Sequence, residues 1–384
     1  MIPVGDFIRW MEEIAPPSLV CEGDNIGVQI GDPRKKVKYV LVTLEVTPEV
    51  ITEAGDKNCQ LIITHHPLIR SPLKNLAGSE TLSSIRQAIR QDLIIYAAHT
   101  NLDSAPGGTN DLLAETLRLK NIQPLHITRQ ESLTKLVVFV PRGQEDKVRE
   151  AMAEAGAGII GNYSYCSFQT PGTGSFKASR EAHPLIGEIG EMEKVEEYRL
   201  EMLVPESKIN SVISAMRQVH PYEEVAFDIY TLKNPGRLYG LGRVGDLERE
   251  WTLEELVAWV KKALQIKDVR IINSSETSPS AEKINSSLWD KKIHRLAVNA
   301  GSGSEVIPQA FYHETQALVT GEIRYHDALL AKLLGLTVIE AGHYATERLV
   351  VPVVAEKLQK KINQSGREGQ VIVSEISTDP FEFY

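Results

Sequence analysis

The chain has little cysteine, no dense block of basic residues and no long apolar run at its beginning. Its three cysteines, Cys21, Cys59 and Cys166, lie far apart and match no paired thiolate spacing. That argues against a disulfide framework or a structural zinc ribbon and fits a reducing compartment. A formal net charge of −9, without clustered Lys and Arg, offers little to a phosphate backbone, so nucleic acid is a poor expected partner. The opening segment is interrupted by Asp6, Arg9, Glu12 and Glu13, which argues against a signal peptide or a membrane span there. Phe7, Ile8, Trp10, Met11 and Ile14 instead form the apolar stripe of an amphipathic helix. The expectation is a cytoplasmic protein with no membrane partner.

What is present is an ordinary globular composition, 42% hydrophobic and 24% charged over 384 residues, long enough for about two or three domains. Val37 to Leu44, Leu61 to Thr64 and Leu93 to Ala98 are nearly continuous apolar runs, the pattern of strands buried on both faces. Helical stretches at Pro48 to Ala54 and Thr81 to Ile89 lie between them. The alternation returns late, with strands at Arg295 to Asn299, Ala317 to Thr320 and Leu336 to Glu340, and helices at Tyr325 to Leu334 and Thr346 to Lys360. Strand alternating with helix predicts an α/β fold with a mostly parallel sheet and flanking helices.

The middle contains an internal repeat. Lys135-Leu-Val-Val-Phe-Val-Pro141 precedes a helical run through Val148, Ala151 and Met152. At one constant offset, Arg199-Leu-Glu-Met-Leu-Val-Pro205 precedes a run through Val212, Ala215 and Met216. A further strand is expected after each helix, at Tyr163 to Gln169 and Val225 to Leu232. Two such units in tandem predict a ferredoxin-like split β-α-β arrangement. The expected organisation is an α/β domain in two halves, 1–131 and 236–384, with a ferredoxin-like α+β domain inserted at 132–235.

Candidate chemistry gathers at strand ends, where ligands bind in open parallel sheets. Ile63-Thr-His-His-Pro67 places His65 and His66 where Pro67 stops a buried strand. Two adjacent histidines there can splay apart and each bind a different ion; a solvated or core pair is the alternative. The next strand ends in Tyr96-Ala-Ala-His-Thr-Asn-Leu-Asp103, and a third strand runs into Glu340-Ala-Gly-His-Tyr-Ala-Thr-Glu347. His343 and Glu347 are four residues apart and share a helical face. Imidazoles and carboxylates without thiolates suit Zn, Mn, Fe, Co or Ni. Five ligands, His65, His66, Asp103, His343 and Glu347, are too many for one open tetrahedral site and enough for two divalent ions. Such a pair would lower the pKa of bound water and supply a nucleophile. His99, Glu322, His326 and Asp24 are candidate helpers that orient ligands or face a substrate. Asn299-Ala-Gly-Ser-Gly-Ser304 is either an anion cradle of backbone N–H groups or a plain turn. His126, His183, His294 and His313 have no such context, and His220-Pro-Tyr-Glu-Glu224 most simply closes a helix.

At these residues the sequence resembles the GTP cyclohydrolase I type 2 homologues, also called the NGG-interacting-factor-three-like dinuclear-metal proteins. Matching stretches are Gly23-Asp-Asn-Ile-Gly-Val-Gln-Ile-Gly31, the double-histidine and His-Thr-Asn-Leu-Asp segments, Gly107-Gly-Thr-Asn-Asp111, Ala-Gly-Ser-Gly, Thr320-Gly-Glu and Gly-His-Tyr-Ala-Thr-Glu. The resemblance implies metal ligands at His65, His66, Asp103, His343 and Glu347, an insert of the PII- or CutA-like kind, and a toroidal homohexamer with metal sites facing an inner cavity. Two positions depart from the pattern: Gly23 stands where the family often has Trp, and Asn299 where it often has Cys.

The expected function is a metal-dependent hydrolase acting on a nucleotide or phosphoester. The family name implies GTP ring opening, with water attacking the purine C8 and formate leaving. The alternative is a non-catalytic metal- or metabolite-binding regulatory protein in which the insert acts as sensor or lid.

Overall fold

A computed structural model describes residues 1–78, 80–273 and 289–382. The chain divides into two compact units, Met1–Arg129 with Tyr239 onward, and Gln130–Leu238.

The discontinuous unit carries two large sheets, not one, beside a two-stranded pair of Ile2–Pro3 with Lys36–Val37. In the first, Tyr39–Thr43, Leu61–Thr64 and Ile94–Ala97 run parallel, every residue of the last two buried. Successive side chains of a strand face opposite ways. Val40, Val42, Ile63 and Tyr96 therefore pack under the helices Val4–Ile14 and Val350–Gln364, through Phe7, Met11, Val354 and Leu358. Leu41, Ile62 and Ile95 face the other way, against Val50, Ile51, Ala54 and Ala88 of helices Pro48–Asp56 and Glu80–Arg90. Burial of each such side chain contributes about 1.5–3 kcal/mol. Gly27–Ile30 closes one edge antiparallel, and Gln370–Val373, from the far end of the chain, closes the other in parallel.

The second sheet is mixed. Its order is Arg270–Ile272, Thr337–Glu340, Ala317–Glu322, Lys292–Ser302, Leu238–Thr252 and Lys120–Gln130. The three strands from Thr337–Glu340 to Lys292–Ser302 are parallel, and Arg270–Ile272 and Leu238–Thr252 join them antiparallel. The expectation of one mostly parallel sheet is thus corrected. Apolar runs report burial on both faces but not the neighbour, and each half builds a sheet while lending an edge strand to the other. The long helix expected over Thr346 to Lys360 is also broken, into His343–Glu347 and Val350–Gln364. Pro352 lies in the first turn of the second helix and has no N–H to give back to Arg348, so one helix cannot run through.

The continuous unit runs β-α-β-β-α-β. Leu133–Pro141, Glu145–Glu154 and Ser167–Lys177 are followed by Met192–Pro205, Ile209–Val219 and Phe227–Leu232. Its sheet is antiparallel, with the last strand beside the first, then the third, then the second. The repeated positions of the sequence are its core: Val140 and Val204, Val148 and Val212, Met152 and Met216 are all fully buried together. The strand expected at Tyr163 to Gln169 instead starts at Ser167 and reaches Lys177. It is an edge strand exposed along most of its length, so it lacks the alternation that would announce it, while Tyr163 belongs to a turn closed on Ile160.

Where this unit begins and ends, the Glu131 N–H donates to the Arg237 carbonyl at 2.8 Å, and a short linker can replace what lies between. Deleting 132–235 is expected to leave a soluble protein that melts cooperatively and keeps the metal content of the full chain. An aggregated product would show that the discontinuous unit cannot fold alone.

Candidate metal centre

Three parallel strands bring their carboxyl ends to one edge of the first sheet, and each delivers ligand-type side chains there. Glu45 follows Tyr39–Thr43, His65 and His66 follow Leu61–Thr64, and His99 and Asp103 follow Ile94–Ala97. The second half supplies His343 and Glu347 from the one-and-a-half-turn helix after Thr337–Glu340. Gly301, at φ +66°, lies against this helix so closely that a Cβ there would fall 2.0 Å from Glu347 Oε1 and 3.1 Å from His343 Nε2.

Four histidines converge, and each has its Nδ1 engaged by an oxygen. His65 Nδ1 meets the Ala98 carbonyl at 3.0 Å, His66 Nδ1 meets Glu45 at 2.8 Å, His99 Nδ1 meets Asp24 at 2.9 Å and His343 Nδ1 meets Glu322 at 3.3 Å. At His65 and His99 the hydrogen bond sets the tautomer and leaves Nε2 to act as ligand, whereas at His66 and His343 the carboxylate stands beside the ring as an ion-pair partner. Glu347 Oε2 lies 3.1 Å from Nε2 of both His66 and His343. Asp103 Oδ1 lies 3.5 Å from His65 Nε2, and Glu347 Oε1 lies 3.9 Å from it. Ligand atoms about 2.0–2.2 Å from one ion sit roughly 3.0–3.5 Å from each other, so the spacing suits a shared cation. Two groups could each hold an ion, His65 with His66 and His99, and His66 with His343 and Glu347.

The polar atoms at the centre are left wanting a partner. His65 Nε2 and Glu347 Oε2 are buried without a directed hydrogen bond, in side chains only 2% and 4% exposed. Burial opposes charge on every group here, and the carboxylates decide the outcome. Burial pulls the His66 imidazolium down, but Glu347 and Glu45 outweigh it and push its pKa up to about 10. His343 is likewise raised against its burial, chiefly by Glu347. At His65 burial, helped by the neighbouring His66 and His99, prevails over Asp103 and Glu347, and its pKa is lowered. Despite its own burial Glu347 is held well below the usual carboxylate range by His343 and His66. The pocket therefore attracts positive charge, and a divalent ion that displaces the ring protons would take their place among its imidazoles and carboxylates.

Of the residues expected from sequence, His65, His66, Asp103, His343 and Glu347 all reach this centre. Asp103 also accepts a hydrogen bond from the Thr109 hydroxyl. Asp24 accepts from Thr100 through both backbone N–H, at 3.1 Å, and hydroxyl, at 2.6 Å, while holding His99. Glu322 touches the centre only through His343. His326 does not join it; the side chain is exposed on helix Tyr325–Leu333 and stacks edge-on against Tyr325. The Ala300 to Gly303 segment is the bulged end of strand Lys292–Ser302 and not an anion cradle. Its N–H groups at Ala300, Gly301 and Gly303 are already given to Asn110, Thr346 and the Glu322 carbonyl, and Asn299 braces it through the Ala300 and Ser302 carbonyls. Sequence reasoning missed Glu45 and Asn110. Glu45 stands two residues past a buried strand, the same position from which the neighbouring strands project their ligands, and that register was the available signal.

His65→Ala and Glu347→Ala are each expected to lower bound transition metal per chain, measured by elemental analysis; undiminished metal in both would overturn this centre. Glu45→Gln leaves the ligands in place but frees the His66 ring, so metal affinity is expected to fall about 10–100-fold with the full stoichiometry still reached at saturation.

A model of the Duf34/NIF3 (NGG1p interacting factor 3) family matches residues 2–380. A "GTP cyclohydrolase 1 type 2 homolog" of Halalkalibacterium halodurans is 43% identical over 98% of this chain and 97% of its own length. One of Bacillus subtilis, with the same name, is 42% identical over the same shares. Among solved structures, a Bacillus cereus protein related to NIF3 superposes with a TM-score of 0.88 at 40% identity, covering 99% of this chain and 98% of that one. A Staphylococcus aureus protein superposes at 0.72 and 30% identity, covering 100% and 99%. With a mixed α/β fold, a buried histidine–carboxylate cluster and likeness along almost its whole length, the chain belongs to the Duf34/NIF3 family.

Proposed function

We propose that the chain is a two-metal hydrolase acting on a nucleotide or phosphoester. The observation that carries this reading is the set of four histidines, each with an oxygen within 3.3 Å of Nδ1, around the buried Glu347 carboxylate. His65, His66, Asp103, His343 and Glu347 would hold two divalent ions, drawn from Zn, Mn, Fe, Co or Ni. Bound there, the ions would supply Lewis acidity and an activated water. His99 is less deeply buried than His65 and is oriented by Asp24, and it stands with His65 and His66 in one of the two groups that could hold an ion.

A cleft of about 790 Å³ opens beside the centre, bounded there by His343 and Glu322. Arg324, Arg270 and Lys267 stand on its walls. Arg324 is paired with Asp327 and Arg270 with Glu340, so their guanidinium groups are held in place at the rim. Asp268, Glu322, Glu340 and Asp379 line the cleft as well, so the attraction for a substrate rich in anionic oxygen would come from the bound ions, with Arg324 placed to orient it. The name borne by the Halalkalibacterium and Bacillus relatives makes GTP the first nucleotide to test, with formate release as the readout. Metal-loaded protein is expected to hydrolyse GTP or another phosphate ester and to lose the activity with a chelator. Arg324→Ala should raise KM about tenfold with kcat little changed. Absence of turnover across nucleotides and phosphoesters with each of the five metals would sink the hydrolase reading and favour the regulatory one.

The same proposal makes the continuous unit a PII- or CutA-like insert in a cytoplasmic, toroidal homohexamer, with a sensor or lid role only in the regulatory reading. Its β-α-β-β-α-β order supports the first part. Helix Tyr325–Leu333 supports the second, because Tyr325, Leu329 and Leu333 expose 72%, 44% and 85% of their surfaces along one face, a stripe that water alone does not favour. Leu329→Glu with Leu333→Glu is expected to reduce the mass found by light scattering. An unchanged assembly would place the interface elsewhere.

A further inference from the structure

The continuous unit contains a cavity of about 440 Å³ that lies entirely within it and shares no residue with the metal centre. That volume is within the range of small-molecule sites, roughly 300–1,000 Å³. The segment His220-Pro-Tyr-Glu-Glu224 builds one side, and His220 explains how. The Tyr222 N–H donates to His220 Nδ1 at 3.2 Å, so the ring proton sits on Nε2 and is given to the Phe139 carbonyl at 3.0 Å. The imidazole is thereby a neutral brace between the segment after helix Ile209–Val219 and strand Leu133–Pro141, with its pKa lowered by burial. It fixes Tyr222 beside the cavity, where the hydroxyl donates to Glu197 Oε1 at 3.0 Å.

The walls are otherwise apolar, with Phe139, Phe176, Leu185 and Ile186 among them. Glu197, Glu223 and Glu224 also line the cavity, and among the described residues no lysine or arginine does. Glu223 is partly committed, accepting the His183 N–H at 2.7 Å. Glu197 is different. Its hydrogen-bond donor here is a phenol, and a carboxylate beside apolar walls is better satisfied by a cation. Room for it is made by Gly174 on the neighbouring strand, where a Cβ would fall 2.1 Å from Glu197 Oε2. A strand interior seldom favours glycine; here its missing side chain is what seats the carboxylate.

We propose that this cavity binds a small organic cation, an ammonium or guanidinium group on an apolar body, with Glu197 as counter-ion. The charged head would meet Glu197 beneath the Tyr222 ring, where the aromatic face adds attraction for a cation, and the apolar body would lie against Phe139, Phe176 and Leu185. The Tyr222 hydroxyl, pushed up to about 12 by burial and Glu197, remains a proton donor at neutral pH and keeps its hydrogen bond to the carboxylate. The site does not depend on whether the metal centre is catalytic.

The test is calorimetric titration of the full-length, metal-loaded protein with phenethylamine, and with phenylpropanoate as an anion of the same shape. Saturable binding of the amine and none of the acid is the expected result. Glu197→Gln is nearly isosteric and should weaken the amine about tenfold or more, with metal per chain unchanged. Gly174→Ala should do the same by displacing the carboxylate. Equal binding of amine and acid, no binding of the amine, or full affinity in Glu197→Gln would overturn the proposal, whatever Gly174→Ala does.

Discussion

A carboxylate that is 4% exposed can stay ionised only if positive charge comes to it, and Glu347 is such a carboxylate. Its surroundings follow from that constraint. His66 and His343 approach the same oxygen, each turned by an acid on its far side. The result is alternating shells of oxygen, imidazole and oxygen, in which the outer acids strengthen the imidazoles as donors to a cation. Replacing any one member leaves a buried charge or an idle ring, so the cluster is specified as a unit.

Holding that unit requires both halves of the chain. His65, His66, His99 and Asp103 arrive on one sheet, and His343 and Glu347 arrive beside another. Their relative position rests on a few polar ties across long sequence separations. Asn110 donates to the Asp103 carbonyl at 3.1 Å and accepts the Ala300 N–H at 2.9 Å, joining residues 190 apart in sequence. Thr346 accepts the Gly301 N–H, Arg243 pairs with Asp111, and Lys357 donates to the Gly107 carbonyl. Exchange of edge strands between the sheets does the same with backbone. Such ties are weak one by one, about 0.5–1.5 kcal/mol each, but a buried donor left unpaired costs more than a pair contributes. These side chains are therefore placed by cooperative burial and not by any strong bond.

Much of this was legible in the sequence. Buried strands announce themselves as apolar runs, and the residues just beyond them are where a parallel sheet presents its ligands, so His65, His66, Asp103, His343 and Glu347 could be named together. The repeat of Val-Pro, Val and Ala-Met marked the core of the continuous unit because a duplicated fold must bury the same positions twice. Less was legible where a signal is shared by many structures. An edge strand such as Ser167–Lys177 has no buried face to pattern. Glu322 and His326 are an i, i+4 pair in sequence, yet one meets His343 and the other stays in solvent.

By itself the sequence determined which side chains could serve as ligands, which segments had to be buried, and that the middle of the chain is built twice on one plan. These are properties of residue type and of periods of about 2 and 3.6 residues, and both are local. Only the tertiary structure decided that two large sheets form in place of one, that Glu45 stands behind His66, that Asn110 ties the two halves, and that Glu197 faces a cavity. Those facts depend on contacts between residues tens to hundreds of positions apart, and no local period records which distant surfaces will meet.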